Sequence, residues 1–330
     1  MRNLISIFVI SFLFSCETVV QIELPDEPER IVVNALAAAD STWLFRITAS
    51  KGPLEEENYL NTFKPIKNAQ VTLKDAEGND HKIAYKDATP DYIDCEFDNC
   101  DEFAVYTSTS KTVENKVYTL EVSANGFPGV KSRFQVPRRV MIDAVEFGEP
   151  NLVSSEYYSY SEVNGSIFFQ DPPNEKNYYL MEVYAQLKQY LYQYDESTRE
   201  TIIVDSSYYY NAIYLTSPDP SIINIGVDDI DDHLLINDNL IDGNEVKLNF
   251  TAEINAGFDI NGRKIAPEKL VVFLKHISED YYNYLLTYEN YLYASGNPFA
   301  EPVQIASNIQ NGLGMIAAYA SDTVVYELER

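Results

Sequence analysis

Tyr178-Tyr179-Leu180-Met181-Glu182-Val183-Tyr184-Ala185-Gln186-Leu187-Lys188-Gln189-Tyr190-Leu191-Tyr192-Gln193-Tyr194 is the stretch that decides the fold. Its odd positions hold Tyr179, Met181, Val183, Ala185, Leu187 and Leu191, broken by Gln189 and, at the far end, by Gln193. Its even positions hold Glu182, Gln186, Lys188 and five tyrosines around Leu180. Successive side chains of a strand point to opposite faces, so a period of two predicts a long antiparallel strand with one face in the core. The other face carries Tyr184, Tyr190, Tyr192 and Tyr194, which are the candidate ligand-binding residues. A phenol ring offers apolar area and a polar tip, which suits a half-exposed binding surface. The plainer alternative is that these rings cover a sheet edge.

The same pattern continues downstream. Val246, Leu248, Phe250, Ala252 and Ile254 alternate with Lys247, Asn249, Thr251 and Glu253, which predicts a second clean strand. Leu270 to Ile277 is apolar at nearly every position and reads as a central strand. A helix follows, with Ser278 as N-cap and Glu279 and Asp280 in its first turn, where acidic groups complement the helix dipole. Tyr281, Leu285, Tyr288 and Leu292 recur at helical spacing as a packing stripe, and Gly296 and Pro298 end the helix. A last strand is expected near Gly314–Tyr319 or Val324–Leu328. Residues 138–330 thus read as a β-rich α+β domain with one substantial helix near the C-terminus.

Upstream, residues 31–137 read as strands and turns without a helical period. Trp43, Phe45, Ile47 and Ala49 alternate with Leu44, Arg46 and Thr48. Turn signals stand at Glu77-Gly78-Asn79 and Asn125-Gly126, and Val130, Phe134 and Val136 share one face of a strand ending at Pro137. About seven short strands over this length predict an immunoglobulin-like β-sandwich.

The first residues have another purpose. Arg2 is the only charge before an apolar run from Leu4 to Phe14, which is too short to span a bilayer but has the length of a signal-peptide core. Leu13-Phe14-Ser15-Cys16 then reads as a lipobox, with residues 1–15 removed and Cys16 acylated. Several acyl chains at about 0.8 kcal/mol per buried CH₂ hold a protein firmly to lipid. Residues 16–30, with Pro25 and Pro28, form the tether. Glu17 at the position after the cysteine lacks the aspartate that marks inner-membrane retention, so the expectation is the outer membrane, with the cell surface favoured over the periplasmic leaflet.

The chain of 330 residues carries a net charge of −27, which becomes −28 without Arg2. That charge argues against nucleic acid, whose phosphates require Lys and Arg, and against lying flat on anionic lipid. Three cysteines occur, and once Cys16 is acylated Cys95 and Cys100 remain as a pair. In an oxidising compartment they are expected to form a disulfide stapling an acidic, exposed loop. Two thiolates without histidine make a poor zinc set.

No catalytic signature appears. The three histidines, His81, His233 and His276, form no H-E-x-x-H pair, and there is no G-x-S-x-G elbow or glycine-rich phosphate loop. Asp228-Asp229-Ile230-Asp231-Asp232-His233 and Asn237-Asp238-Asn239-Leu240-Ile241-Asp242-Gly243 have the oxygen ligands calcium takes, but they miss the register of a calcium loop and read as solvated loops. No metal and no cofactor are expected.

Asn297-Pro298-Phe299-Ala300-Glu301-Pro302-Val303, Ser307-Asn308-Ile309 and Asn311-Gly312-Leu313-Gly314 form a distinctive C-terminal block. Ser278-Glu279-Asp280-Tyr281-Tyr282, Asp171-Pro172 with Asn177-Tyr178-Tyr179, and Ile31-Val32-Val33-Asn34-Ala35 accompany it. Together these resemble the Bacteroidota outer-membrane lipoprotein family catalogued as domain of unknown function 4249, over nearly the whole mature chain. Met315-Ile316 stands where members usually carry an aromatic, and Ala317 or Ala318 replaces a usual glycine. The family has no established activity. Its members often accompany TonB-dependent transporters, so the resemblance implies a non-enzymatic binding or lid lipoprotein accessory to such a β-barrel. A structural or assembly lipoprotein of the envelope and a surface hydrolase using a carboxylate pair are the alternatives.

Overall fold

In the computed structural model, the described residues are 28–52, 64–88, 103–154, 159–195, 199–227, 230–254, 257–258, 264–265, 267–295, 297 and 299–328. The first section contains β1 (Ile31–Ala38), β2 (Thr42–Ala49), β3 (Lys64–Pro65), β4 (Gln70–Asp75), β5 (Asp80–His81), β6 (Ala84–Ala88), β7 (Phe103–Lys111), β8 (Lys116–Ser123) and β9 (Val130–Val136). The second begins with β10 (Ile142–Phe147), β11 (Asn151–Ser154), β12 (Ser159–Gln170), β13 (Tyr178–Asp195), β14 (Glu200–Ala212), β15 (Tyr214–Thr216), β16 (Ile222–Val227) and β17 (Ile230–Asn237). It continues with β18 (Glu245–Ile254), β19 (Gly257–Phe258), β20 (Lys264–Ile265), β21 (Lys269–Ile277), helix α1 (Glu279–Ala294) and β22 (Leu313–Glu327). The protein is mainly β, with its one described α-helix near the C-terminus.

One 11-stranded open sheet runs through both sections in the order β16-β17-β13-β21-β22-β1-β2-β7-β6, with β14 added on β13 and β3 on β2. The join is β1 against β22, a parallel pair with Val33 opposite Gly314 and Ala35 opposite Ile316. The side chain of Asn34 reinforces it, its Oδ1 accepting the Met315 N–H at 3.2 Å. Gly314 has φ +101, and a Cβ there would run into the Val33 carbonyl. This close approach explains the glycine physically, since only Gly takes that backbone angle without a steric cost.

Each section packs a smaller sheet onto its half of the large one. In the first section the four-stranded sheet β5-β4-β8-β9 covers β1 and β2. The alternation at Trp43, Phe45 and Ile47 is realised, since all three are buried while Thr42, Leu44 and Arg46 face outward. Trp43 stacks on Phe45 with centroids 5.8 Å apart and meets Tyr118 edge-on at 4.8 Å. Ile309, Ile316 and Ala318, from the far end of the chain, pack into this same core.

In the second section the sheet β10-β12-β18-β15 covers β13, β17 and β21. Tyr179, Met181, Val183, Ala185 and Leu187 line this core, as the odd-position row requires. β21 is central, paired on one side with β13 and on the other with β22. In place of one of two short terminal strands, a single strand of 15 residues spans Gly314–Tyr319 and Val324–Glu327, because β22 serves β21 along its second half and β1 along its first.

Helix α1 covers the opposite face of the large sheet at Leu180, Leu235 and Ile277. Ser278 caps it, its Oγ accepting the Tyr281 N–H at 3.3 Å. The expected stripe holds only in its first half. Tyr281, Tyr282, Leu285 and Leu286 face the sheet, whereas Tyr288 is exposed and stacks on Tyr284. Contacts with the sheet are thus made by the first two turns. Among the described residues no helix is long and apolar enough to cross a membrane.

Candidate functional site

The second half of β13 leaves the body of the sheet. Tyr178 to Gln186 pairs with β21, but the β21 ladder stops there, and among the described strands β14 alone pairs with β13 from Leu187 to Asp195. Nine residues at about 3.3 Å each make a two-stranded ribbon roughly 30 Å long. A register shift at Leu191/Tyr192 skips Val204, a bulge that sharpens the local twist.

Residues paired across a ladder share a face, so the register defines the ribbon's composition. Gln186 faces Tyr210, Lys188 faces Tyr208, and Tyr192 faces Ile203. Tyr190 and Tyr192 lie with ring centroids 6.4 Å apart. Lys188 Nζ sits 5.4 Å from the Tyr190 centroid and 5.7 Å from that of Tyr208, within cation–π range of both. Gln186 donates to the Tyr210 hydroxyl at 2.7 Å, and Tyr208 donates to Glu268 at 3.2 Å. Leu191, Tyr194, Ile203, Tyr208 and Tyr210 are all exposed, Leu191 to 60%. So much exposed apolar and aromatic surface on one element is the physical mark of an interaction site.

Of the four tyrosines singled out in the sequence, three come together on the ribbon. Tyr184 does not join them. It stands at the root, half-buried and edge-on to Phe273 at 5.7 Å. The partners missed in the sequence are Lys188 on β13 and Ile203, Tyr208 and Tyr210 on β14. The run Tyr208-Tyr209-Tyr210 was the available signal, since only its outer rings share the face of Lys188 while Tyr209 packs toward the core.

A second constellation lies at the end of β17. Asp171, Asp238 and Asp242 bring carboxylate oxygens within 4.8 Å of one another. The expectation of a solvated loop fails here for Asp238, which is buried with Asp171, while Asp242 is exposed. The reason is hydrogen bonding to backbone. Asp238 Oδ2 accepts the Asn177 N–H at 2.6 Å, Asp171 Oδ2 accepts the Gly243 N–H at 2.9 Å, and Asp242 Oδ1 accepts the Asn174 N–H at 3.0 Å. Tyr179 donates its phenol to Asp171 Oδ1. Burial pushes the Asp171 carboxyl above its ordinary range, and Asp238 and Asp242 push it further, while the bonds from Tyr179 and Gly243 pull the other way. Burial, and then the Asp171 carboxylate, raises the Tyr179 phenol well above its usual value. These side chains tie the loop after Gln170 to the turn before β18, and they have the oxygen chemistry of a hard-cation site.

A third group lies beneath α1. Buried Glu182 meets Lys275 Nζ at 2.5 Å, with His233 Nδ1 at 3.9 Å. Such pairing is what allows a carboxylate inside a sheet–helix layer. His276 is a satisfied core residue, its Nδ1 2.8 Å from the Arg138 carbonyl oxygen, and burial lowers its pKa. Cys16, Cys95 and Cys100, with Asp228 and Asp229 of the first acidic loop, lie outside the described residues.

Two β-sandwich-like sections sharing one open sheet, one covering helix among the described residues and an exposed aromatic ribbon define a mainly β protein. The family model described as Domain of unknown function (DUF4249) matches residues 17–324, and the chain belongs to that family. No curated protein matches it.

Proposed function

We propose that the protein is an outer-membrane lipoprotein, anchored through Cys16, that serves as a non-enzymatic binding or lid module for a TonB-dependent β-barrel transporter. The β13–β14 ribbon carries this reading. An exposed two-stranded ribbon with tyrosines, Ile203 and Leu191 is poorly stabilised on its own, because its apolar groups stay in water. A partner that buries them converts that exposed area into binding energy at about 25 cal/mol per Å², before the costs of association. Lipid at Cys16 would hold the ribbon beside a membrane partner and raise its effective concentration there. What the resemblance in the sequence implies, a lipoprotein beside such a transporter, points the same way.

The test is recovery of the partner. A tagged protein taken from its native envelope in mild detergent, after chemical crosslinking, should bring down a large β-barrel. Recovery of the lipoprotein alone would contradict the proposal. Mass spectrometry of the same material should find acyl chains on Cys16, and an unmodified residue 16 would remove the anchor from the account.

A further inference from the structure

The two sections meet at a polar cleft away from the ribbon. Its volume is about 500 Å³. One wall is the first section, through Asn115, Arg133 and Gln135, and the other is the start of α1 with residues 175–178. A sphere of that volume is roughly 10 Å across, the length of two to three extended residues at about 3.3–3.6 Å each.

The charges in the cleft do not all find partners. Arg138 pairs with Glu175. Lys176 Nζ lies 3.8 Å from Glu279, which also accepts the Tyr178 hydroxyl at 2.9 Å. Two groups are left over. Arg133 makes no ion pair among the described residues, and Asp280 meets only the Asn308 amide, at 3.3 Å. One unpaired cation thus stands on the first-section wall and one unpaired anion on the helix wall. Both groups line the same cleft. An arginine fork matches a carboxylate with two parallel hydrogen bonds, and an aspartate accepts an ammonium, so the pair fits a ligand with a negative and a positive end.

We propose that this cleft binds a short peptide of two to three residues with free termini, its carboxylate on Arg133 and its ammonium on Asp280. The polar lining, with the amides of Asn115 and Gln135, offers donors and acceptors to the peptide's own backbone groups. The proposal does not depend on the ribbon or on a transporter partner, so either can fail without the other.

Calorimetric titration of the full-length protein in mild detergent tests it. The probes are trialanine, its N-acetylated and C-amidated forms, and phosphoethanolamine as the zwitterionic headgroup of a lipid. Trialanine should bind, and blocking either terminus should weaken binding about tenfold or more, the scale of one lost charge-assisted bond. Arg133→Gln should weaken trialanine binding by a similar factor while leaving the melting temperature unchanged, because Arg133 is exposed. No binding of trialanine to the intact protein overturns the proposal. So does equal binding of the blocked forms, wild-type affinity in Arg133→Gln, or tighter binding of phosphoethanolamine than of trialanine.

Discussion

Lys188 and Tyr208 face each other across the β13–β14 ladder, with the ammonium 5.7 Å from the ring centroid. The same ammonium reaches Tyr190, so one cation joins rings on both strands of the ribbon. An exposed cation–π contact is worth about 0.5–1 kcal/mol. Lys188→Gln should therefore loosen the ribbon without touching the core. Amide hydrogen exchange should quicken from residue 188 to 194 and from 201 to 210, while β21 and β22 stay protected. Uniform loss of protection would show that Lys188 supports the whole fold instead.

The join between the two sections depends on Gly314. An alanine there would take φ +101 with its Cβ against the Val33 carbonyl. The backbone strain alone is about 1–2 kcal/mol, and parting β1 from β22 adds to it. Gly314→Ala should lower the free energy of unfolding by about 3 kcal/mol or more, read from urea melts. Gly78→Ala is the matching control. It also sits at positive φ, but nothing lies within 4 Å of its added Cβ, so it should lose only the backbone share.

The pH dependence divides by the sign of each shift. Asp171 has its pKa raised in the folded protein, chiefly by burial. The folded state then holds a proton that the unfolded chain has released, so its stabilising share is present below the ordinary value of 3.8 and is lost as pH rises through the folded value. Asp75 is shifted downward, first by its bond from Asn79, with Lys116 adding to it. Its share is present above the ordinary value and is lost as pH falls. Relative to Asp171→Asn, the wild type should weaken as pH climbs above 3.8, and relative to Asp75→Asn it should weaken as pH drops below it. Urea midpoints measured across a pH series check both, and pH-independent differences would contradict them.

Much of this was legible in the sequence, and what was missed has physical causes. The period of two placed Tyr179, Met181, Val183, Ala185 and Leu187 in the core because alternation is a local property of a strand. Ser278 marked the start of α1 for the same reason, since its hydroxyl serves an N–H three residues away. Pairing between distant segments leaves no such local mark. The parallel match of β1 with β22 makes one sheet of what reads along the chain as two units, and it sends Ile316 and Ala318 into the first core. The meeting of Asp171 with Asp238 and Asp242 is likewise set by three backbone N–H groups invisible to composition. On the ribbon, the sequence named the tyrosines of β13 but not those of β14, because which rings share a face depends on register and on the bulge that skips Val204.

The central claim is that the ribbon docks on a membrane β-barrel, and a photo-crosslinking side chain in place of Tyr192 tests it most directly. In intact cells that position should yield a covalent adduct with a large outer-membrane β-barrel, while the same probe at Glu121, an exposed position on β8, should not. Equal crosslinking from both positions, or adducts from neither, would contradict the account.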